Sequence, residues 1–328
     1  MNSLQNITQL LLAEMPTAIT LRCPLSIFSY WKIGGEASVL VEPKSIQQLQ
    51  QAIKIINQFS DVPSMIVGDS SNLLFSDKGY HGVIIKIGNH LSKIEFSGDQ
   101  VYCEAGVWVP ELAYRSYRNA LSGIEHICGI PGRLGGLIYM NGGSNRRGIL
   151  ENVESVQLVN TQGELESIEA KDLVHSYRTS PFQGDERIIA AATLKLNRAD
   201  RAKVCNDMRN ILSSRRKKFP RKLPNCGSVF LSNPKMYDII GPPGFAIEKV
   251  GLKGTRLGGA QISELHANFI VNLGNATSQE VLQLIALARS TVYDKTGFKM
   301  DCEVRYVAEN GVITQAHVIA DEFISHQT

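Results

Sequence analysis

The sequence predicts an α+β protein of more than one domain. Three observations carry this. The chain has 328 residues, about twice a common domain length. Residues 21–88 read as a small β-α-β unit, whereas 89–200 carry two hairpin signals, the mark of antiparallel pairing. Beyond residue 200 the pattern changes again, with heavy glycine and proline punctuation and one long helical stretch. The expected divisions are an N-terminal extension (1–20), two consecutive subdomains (21–88 and 89–200) and a C-terminal domain (201–328).

The elements follow in order. Met1–Pro16 has no basic leader, and Glu14 closely follows Leu10–Leu12, so it reads as an amphipathic helix and not as a signal peptide. Ser38–Pro43 alternates like a strand. Ser45 and Gln48 have capping-box spacing ahead of Ile46, Leu49, Ile53 and Ile56 at helical intervals. Ser64–Val67 and Gly82–Ile87 are apolar strand candidates. Lys93–Phe96 with Val101–Glu104, and Val153–Val159 with Leu165–Ala170, flank turn residues and read as hairpins. Pro110–Ala120 is helical, Arg187–Leu196 a closing strand, and 204–219 a helix ending in a basic run. Ser278–Thr296 is a helix with Val281, Leu284, Ile285, Ala288 and Val292 on one face and Gly297 as its cap. Asp301–Val307 alternates as a last strand, with Cys302, Val304 and Tyr306 on one side.

Composition excludes several classes. Hydrophobic residues make up 43% and charged residues 20%, which is ordinary for a folded chain. The formal charge of +3 is too small for a protein that coats nucleic acid. No stretch approaches the roughly 20 apolar residues of a membrane span. The six cysteines, at 23, 103, 128, 205, 226 and 302, form no CxxC pair and read as buried free thiols in a reducing cytoplasm. The seven histidines show no HxxH or HxxxH spacing, so no metal site is expected.

Two loops carry the chemistry. Gly68-Asp69-Ser70-Ser71-Asn72 follows a strand, and its small residues and consecutive amides suit an anion such as phosphate. A plain polar turn would use the same residues. Gly129-Ile130-Pro131-Gly132-Arg133-Leu134-Gly135-Gly136, with Met140-Asn141 close behind, suits a backbone packed against a flat or anionic ligand, or a tight crossover. Together they point to a large ligand with a pyrophosphate, such as a dinucleotide. Arg178, in Tyr177-Arg178-Thr179-Ser180, is suited to a carboxylate or enolate, or is a surface arginine. Ser228 follows Gly227 in a turn that is not G-x-S-x-G. Glu303 sits beside Arg305 on the polar side of the last strand. The run Arg215-Arg216-Lys217-Lys218 reads as a solvated helix end or a phosphate contact, with a nuclear-localisation or nucleic-acid patch as the weaker alternative.

These pieces, in order with Lys32-Ile33-Gly34-Gly35, Gly227-Ser228-Val229-Phe230, Gly251-Leu252-Lys253-Gly254, His266-Ala267-Asn268-Phe269 and Glu303-Val304-Arg305, resemble the UDP-N-acetylenolpyruvoylglucosamine reductase family from about residue 21 to 307. The resemblance implies a two-subdomain FAD-binding fold of the vanillyl-alcohol oxidase (PCMH) type plus a C-terminal α/β substrate domain. It implies a cytoplasmic, monomeric flavoenzyme of peptidoglycan precursor synthesis that binds FAD non-covalently and takes NADPH as reductant. Its substrate would be UDP-N-acetylglucosamine enolpyruvate, with no nucleic-acid or membrane partner. Arg178 and Glu303 would stabilise an enolate, Glu303 with a raised pKa, and Ser228 would donate a proton. Gly68, Asp69, Ser70, Ser71 and Asn72 would hold the FAD pyrophosphate. Gly129, Ile130, Pro131, Gly132, Gly135, Gly136 and Asn141 would pack on the cofactor. Arg216, Asn233 and His266 would bind substrate. The chain departs from the family at Lys32, Asn225-Cys226, Phe219 and the Gly- and Pro-rich Ser232–Gly244. Lacking the extra loop of the larger subclass, it falls in the smaller one. The rival expectations are an alcohol oxidase on the same FAD fold and a catalytically silent FAD- or nucleotide-binding regulator.

Overall fold

The computed structural model describes residues 2–325. Helix α1 (Ser3–Glu14) is capped reciprocally by Asn2 and Gln5, and its Ile7 and Leu11 are fully buried, as an amphipathic helix requires. Strands β1 (Ile19–Pro24) and β2 (Glu36–Val41) follow. In α2 (Ile46–Ile56) the Ser45 hydroxyl accepts the Gln48 amide. The box is one-sided, because the Gln48 side chain accepts from the Lys44 amide instead. Then come β3 (Ser64–Val67), β4 (Leu73–Phe75) and β5 (Tyr80–Lys86). One sheet has the order β1-β2-β5-β3, with β3 parallel to β5.

The next region is antiparallel. β6 (Ile94–Ser97) and β7 (Gln100–Glu104) form the first hairpin, turned at Gly98 with φ +64°. Helix α3 (Val109–Arg118) has Pro110 in its first turn, where a missing N–H costs nothing. β8 (Leu121–Ser122) and the short α4 (Leu134–Tyr139) lead to the second hairpin, β9 (Val153–Val159) and β10 (Leu165–Glu169). β11 (Ile188–Lys195) inserts between β9 and β7, giving the order β10-β9-β11-β7-β6. Its run of buried Ile188–Ala192 is what a central strand needs. β12 (Asn197–Arg198) pairs with β8.

After α5 (Arg201–Lys218) the punctuated stretch forms α6 (Pro234–Tyr237), α7 (Pro243–Lys249) and a small antiparallel sheet of β13 (Arg256–Leu257), β14 (Ala260–Ile262) and β15 (Ile270–Asn272). Helix α8 (Ser278–Thr296) is capped by Thr277 and Glu280 and ends on Gly297 in the left-handed region. All five residues of its expected apolar face are buried. The strand expected over Asp301–Val307 is shorter. β16 spans Arg305–Val307, and upstream only Cys302 makes a single bridge, to Phe230. The reason is that the Cys302 amide bonds to a side chain, His317 Nδ1, at 3.0 Å. The alternation holds at Cys302 and Val304, both fully buried, but breaks after Arg305, where Val307 is fully buried and Tyr306 only partly. Nor is it the last element, since β17 (Ile313–Gln315) and α9 (Ala316–Ser325) follow. β16 lies between β17, antiparallel, and β4, parallel.

The chain forms two compact units. One comprises residues up to Leu21, Val39–Asp69 and Val83–Arg215; the other comprises Arg22–Ser38, Ser70–Gly82 and the chain from Arg216 onward. Each has its own core. The first is centred on residues such as Leu112, Val156, Leu158 and Ala192. The second buries Trp31 and Leu74 with Phe230, Ile247, Ile285 and Cys302. The Trp31 indole donates to the Ile270 carbonyl at 2.8 Å, and the Asn272 amide donates to the Trp31 carbonyl at 2.9 Å. No helix among the described residues is long and apolar enough to cross a membrane. All six cysteines are free thiols, five of them buried as expected and Cys205, on α5, only partly.

Candidate active site

In the first unit, the two glycine-bearing loops are locked together by a residue between their glycines. Arg133 Nε donates to Asp69 Oδ1 at 2.8 Å, and its Nη1 donates to Asn89 Oδ1 at 2.6 Å and to the Gly106 carbonyl at 2.9 Å. The Arg133 and Asp69 side chains are only 13% and 16% exposed, so this ion pair is partly shielded from water. Glycine at 68 allows this close approach, since a Cβ there would sit a tight 3.1 Å from both Cβ and Cγ of Arg133. Gly129 lies against the Arg215 side chain of α5 and Gly135 against Ala105, whereas a Cβ on Gly136 would meet open space. Ile130 and Pro131 are half-buried beside them. Sequence reasoning passed over Arg133, although a charged residue amid glycines was the available signal.

Arg178 sits at the tip of a tight turn in the same unit. Ser176 and Thr179 exchange both backbone hydrogen bonds, at 3.2 and 3.0 Å. Arg178 takes φ +56°, a left-handed conformation that costs a non-glycine residue roughly 1 kcal/mol or more. Its guanidinium donates to the Gly143 carbonyl at 3.2 Å and lies over the Tyr177 ring. Gln183 donates to the Arg178 carbonyl at 2.9 Å. Asn141 braces this turn. Its Nδ2 donates to the Ser176 carbonyl at 2.8 Å and its Oδ1 accepts the Leu150 amide at 3.2 Å. Both ends of Asn141 are therefore engaged within the chain.

The second unit brings Ser70, Asn72, Ser228 and Glu303 onto adjacent backbone segments. The chain enters this unit within the Gly68–Asn72 loop. Ser70 has φ +56°, and its hydroxyl is buried without a hydrogen-bond partner. Ser71 and Asn72 are half-buried. Asn72 Nδ2 donates to the Glu303 carbonyl at 3.1 Å, and the Arg305 amide donates to the Asn72 carbonyl at 3.1 Å. The Glu303 amide donates to the carbonyl of Val229, next to Ser228, at 2.8 Å. Gly227, with φ +77°, makes the Ser228 turn, and Asn225 Oδ1 accepts the Gly227 amide at 2.9 Å. Asn268 clamps the far side, with reciprocal bonds to the Phe230 amide (2.9 Å) and carbonyl (3.0 Å). The Cys226 thiol faces the carbonyls of Ser70 and Leu73, at 3.5 and 3.4 Å. Burial pushes its pKa far up, so it remains a protonated donor tying the Ser70 loop to the Ser228 turn.

The residues expected to bind substrate are spread over this unit. His266 Nδ1 accepts the Asn268 amide at 3.2 Å. Its ring lies 5.4 Å from Phe219 and 5.1 Å from Phe269, and burial lowers its pKa, so it is neutral at pH 7. A Cβ on Gly244 would lie 2.8 Å from His266 Cε1, which ties the unusual Ser232–Gly244 stretch to that ring. Asn233 caps α6 by accepting the Lys235 amide. Arg216 is exposed near the end of α5. Arg178 belongs to the first unit, whereas Ser228 and Glu303 belong to the second.

Gly136, whose missing side chain leaves open space, and the buried Ser70 hydroxyl still lacking a partner fit a bound dinucleotide. Residues 37–169 match the model of an FAD binding domain, so the class is an α+β flavoprotein. Residues 219–307 match the C-terminal domain of UDP-N-acetylenolpyruvoylglucosamine reductase. The chain is 43% identical over 298 residues to reductase 1 of Corynebacterium glutamicum, covering 91% of this chain and 89% of the relative. To the reductase of Syntrophomonas wolfei it is 36% identical over 294 residues, covering 90% and 96%. The crystal structure of the Thermus caldophilus reductase superposes with a TM-score of 0.73 at 26% identity, over 88% of this chain and 97% of that one. The chain thus belongs to the UDP-N-acetylenolpyruvoylglucosamine reductase family, and it is an FAD-dependent oxidoreductase.

Proposed function

We propose that this chain reduces the enolpyruvyl ether of UDP-N-acetylglucosamine enolpyruvate to the lactyl ether of UDP-N-acetylmuramate, oxidising NADPH. The observation that carries the residue roles is the Asn72–Glu303–Val229 hydrogen-bond set, which fixes Ser228 and Glu303 on neighbouring strands of backbone beside the Ser70 loop. FAD, held by the Gly68–Asn72 and Gly129–Gly136 loops, would supply the hydride chemistry, with NADPH as reductant and the terminal vinyl carbon of the substrate as acceptor. Negative charge then develops on the substrate as an enolate of its carboxylate. Arg178 supplies positive charge to that enolate, and Glu303 in its neutral form donates a hydrogen bond to it. Ser228 gives its proton to the carbon bearing the ether oxygen; a weak acid suffices because the enolate carbon is strongly basic. Gly68–Asn72 hold the pyrophosphate, with the Ser70 hydroxyl as one donor. The Gly129–Gly136 loop packs on the cofactor, and Arg216, Asn233 and His266 face the substrate side. The reading extends to a cytoplasmic monomer serving peptidoglycan synthesis, and hence cell shape and division. It keeps 21–88 and 89–200 as FAD subdomains and 201–328 as the substrate domain, after the 1–20 extension.

The test is an absorbance spectrum of the purified protein under anaerobic conditions. NADPH should bleach a yellow protein, and the enolpyruvyl substrate should restore the colour. Recolouring by oxygen alone would replace this reading with the alcohol-oxidase one. Protein that binds FAD but neither bleaches nor turns over would support the silent regulator.

A further inference from the structure

The reductase C-terminal domain match ends at residue 307, yet the chain continues into β17 and α9. That continuation grips the residue before Glu303. The Cys302 amide donates to His317 Nδ1 at 3.0 Å, and Gln315 Nε2 donates to the Cys302 carbonyl at 3.2 Å. The next turn of backbone is held as well, since the Ala316 amide donates to the Val304 carbonyl at 2.9 Å. From Cys302 to Glu303, four backbone groups are all bonded. Two go to the Val229 carbonyl and to Asn72, and two go to this C-terminal continuation.

His317 is itself held in one orientation. A backbone amide can only donate, so Nδ1 must carry its lone pair and the neutral ring keeps its proton on Nε2. Nε2 faces Asp301 Oδ1 at 3.6 Å. Arg289, on α8 and 7% exposed, donates through Nε and Nη2 to the two carboxylate oxygens of Asp321 on α9, at 3.0 Å each. Its Nη1 lies 3.6 Å from Asp301 Oδ1. The planar fork thereby pins α9 to α8 and sets His317 against Cys302. Ala316 and Ala320, both fully buried, let α9 approach this closely.

We propose that His317 is a positioning residue for the reduction, fixing Glu303 against the Ser228 turn through the Cys302 amide. This rests on the role given to Glu303 above. His317 touches no reacting atom. It removes one degree of freedom from the backbone that carries Glu303, and misplacement of a reacting group by about 1 Å can cost ~10²-fold in rate.

The test compares His317→Asn, His317→Gln and His317→Leu with Glu303→Ala in the FAD-loaded full-length enzyme. Asparagine puts an acceptor where Nδ1 stands, whereas glutamine places its oxygen nearer Nε2 and leucine offers none. Stopped-flow absorbance follows bleaching by NADPH and recolouring by the enolpyruvyl substrate separately. His317→Leu and His317→Gln should bleach at the wild-type rate and recolour at least ~10-fold more slowly, with His317→Asn within about threefold of wild type. Thermal melting should drop alike for Leu and Asn, separating stability from position. In a Glu303→Ala background, His317→Leu should cost nothing more, because both act through one group. Equal slowing of both half-reactions, no rescue by asparagine, or full additivity with Glu303→Ala would each overturn the proposal. If Glu303→Ala itself recolours normally, the fault lies with the Glu303 assignment; if it recolours slowly while His317→Leu does not, the positioning role alone fails.

Discussion

Ser228, Glu303 and Arg178 are residues whose chemistry shows in a sequence, but their settings do not. Ser228→Ala should leave NADPH bleaching intact and slow the second half-reaction by at least ~10², and normal substrate turnover in that variant would remove its role as proton donor. Glu303→Gln should lose less than Glu303→Ala, because an amide still donates a hydrogen bond; equal losses would exclude a neutral donor. His126 went unremarked, since a lone histidine before a glycine loop has no spacing signal. It is 3% exposed and both ring nitrogens lack hydrogen-bond partners. Burial, aided by Arg147, lowers its pKa from 6.5 to about 4. The unfolded chain therefore takes up this proton more readily than the folded one. Stability from this group is complete above the unfolded value near 6.5 and is lost as pH falls towards 4, by on the order of 3 kcal/mol in all. Urea unfolding of wild type and His126→Leu at pH 7.5 and pH 5 should show the smaller loss in the variant. Equal losses would assign the acid sensitivity elsewhere. The role of Arg133 and the partners of Cys226 were hidden for a related reason, as Asp69 lies 64 residues from the one and the Ser70 and Leu73 carbonyls more than 150 from the other.

Elements with a strong local signal were legible. Helix α8 announces itself through its apolar stripe and Gly297, and β3 and β9 occupy the spans their patterns mark. The capping of α8 also has a remote part. Asp77, 201 residues upstream, accepts the Ser278 amide at 2.9 Å and the Ser278 hydroxyl at 2.8 Å. A carboxylate at a helix N-terminus is favourable both as acceptor and as charge. Asp77→Ala should cost about 1–2 kcal/mol in chemical denaturation, with the Asn variant recovering part of it. No loss would mean that Thr277 alone suffices. Helix α9 escaped notice because, among its described side chains, the fully buried ones are the alanines 316 and 320, too small to mark a period. β16 was overextended because side-chain groups, not a neighbouring strand, satisfy Cys302.

At the scale of the molecule, the change of pattern near residue 89 and again near 200 was visible, and the flavoprotein architecture followed from the glycine loops once the family resemblance was drawn. What periodicity could not reveal is that Arg22–Ser38 and Ser70–Gly82 cluster with the C-terminal segment. That depends on Trp31, Ile33 and Leu74 entering a core whose remaining buried members begin at Cys226, more than 150 residues later. A fragment of residues 216–328 lacks all three, together with the β4 edge on which β16 pairs. It should show no dispersed amide spectrum, and a dispersed one would establish that this segment folds unaided.

The parallel pairing of β4 with β16 joins Leu73 to Arg305. During translation, at 5–20 residues per second, β16 emerges on the order of 10–50 s after β4. For that interval Leu74 and Phe75, which end with no solvent exposure, have no strand to receive them. Nascent chains arrested before residue 300 should accordingly recruit hydrophobic-binding chaperones, while those extended past α9 and clear of the exit tunnel should release them.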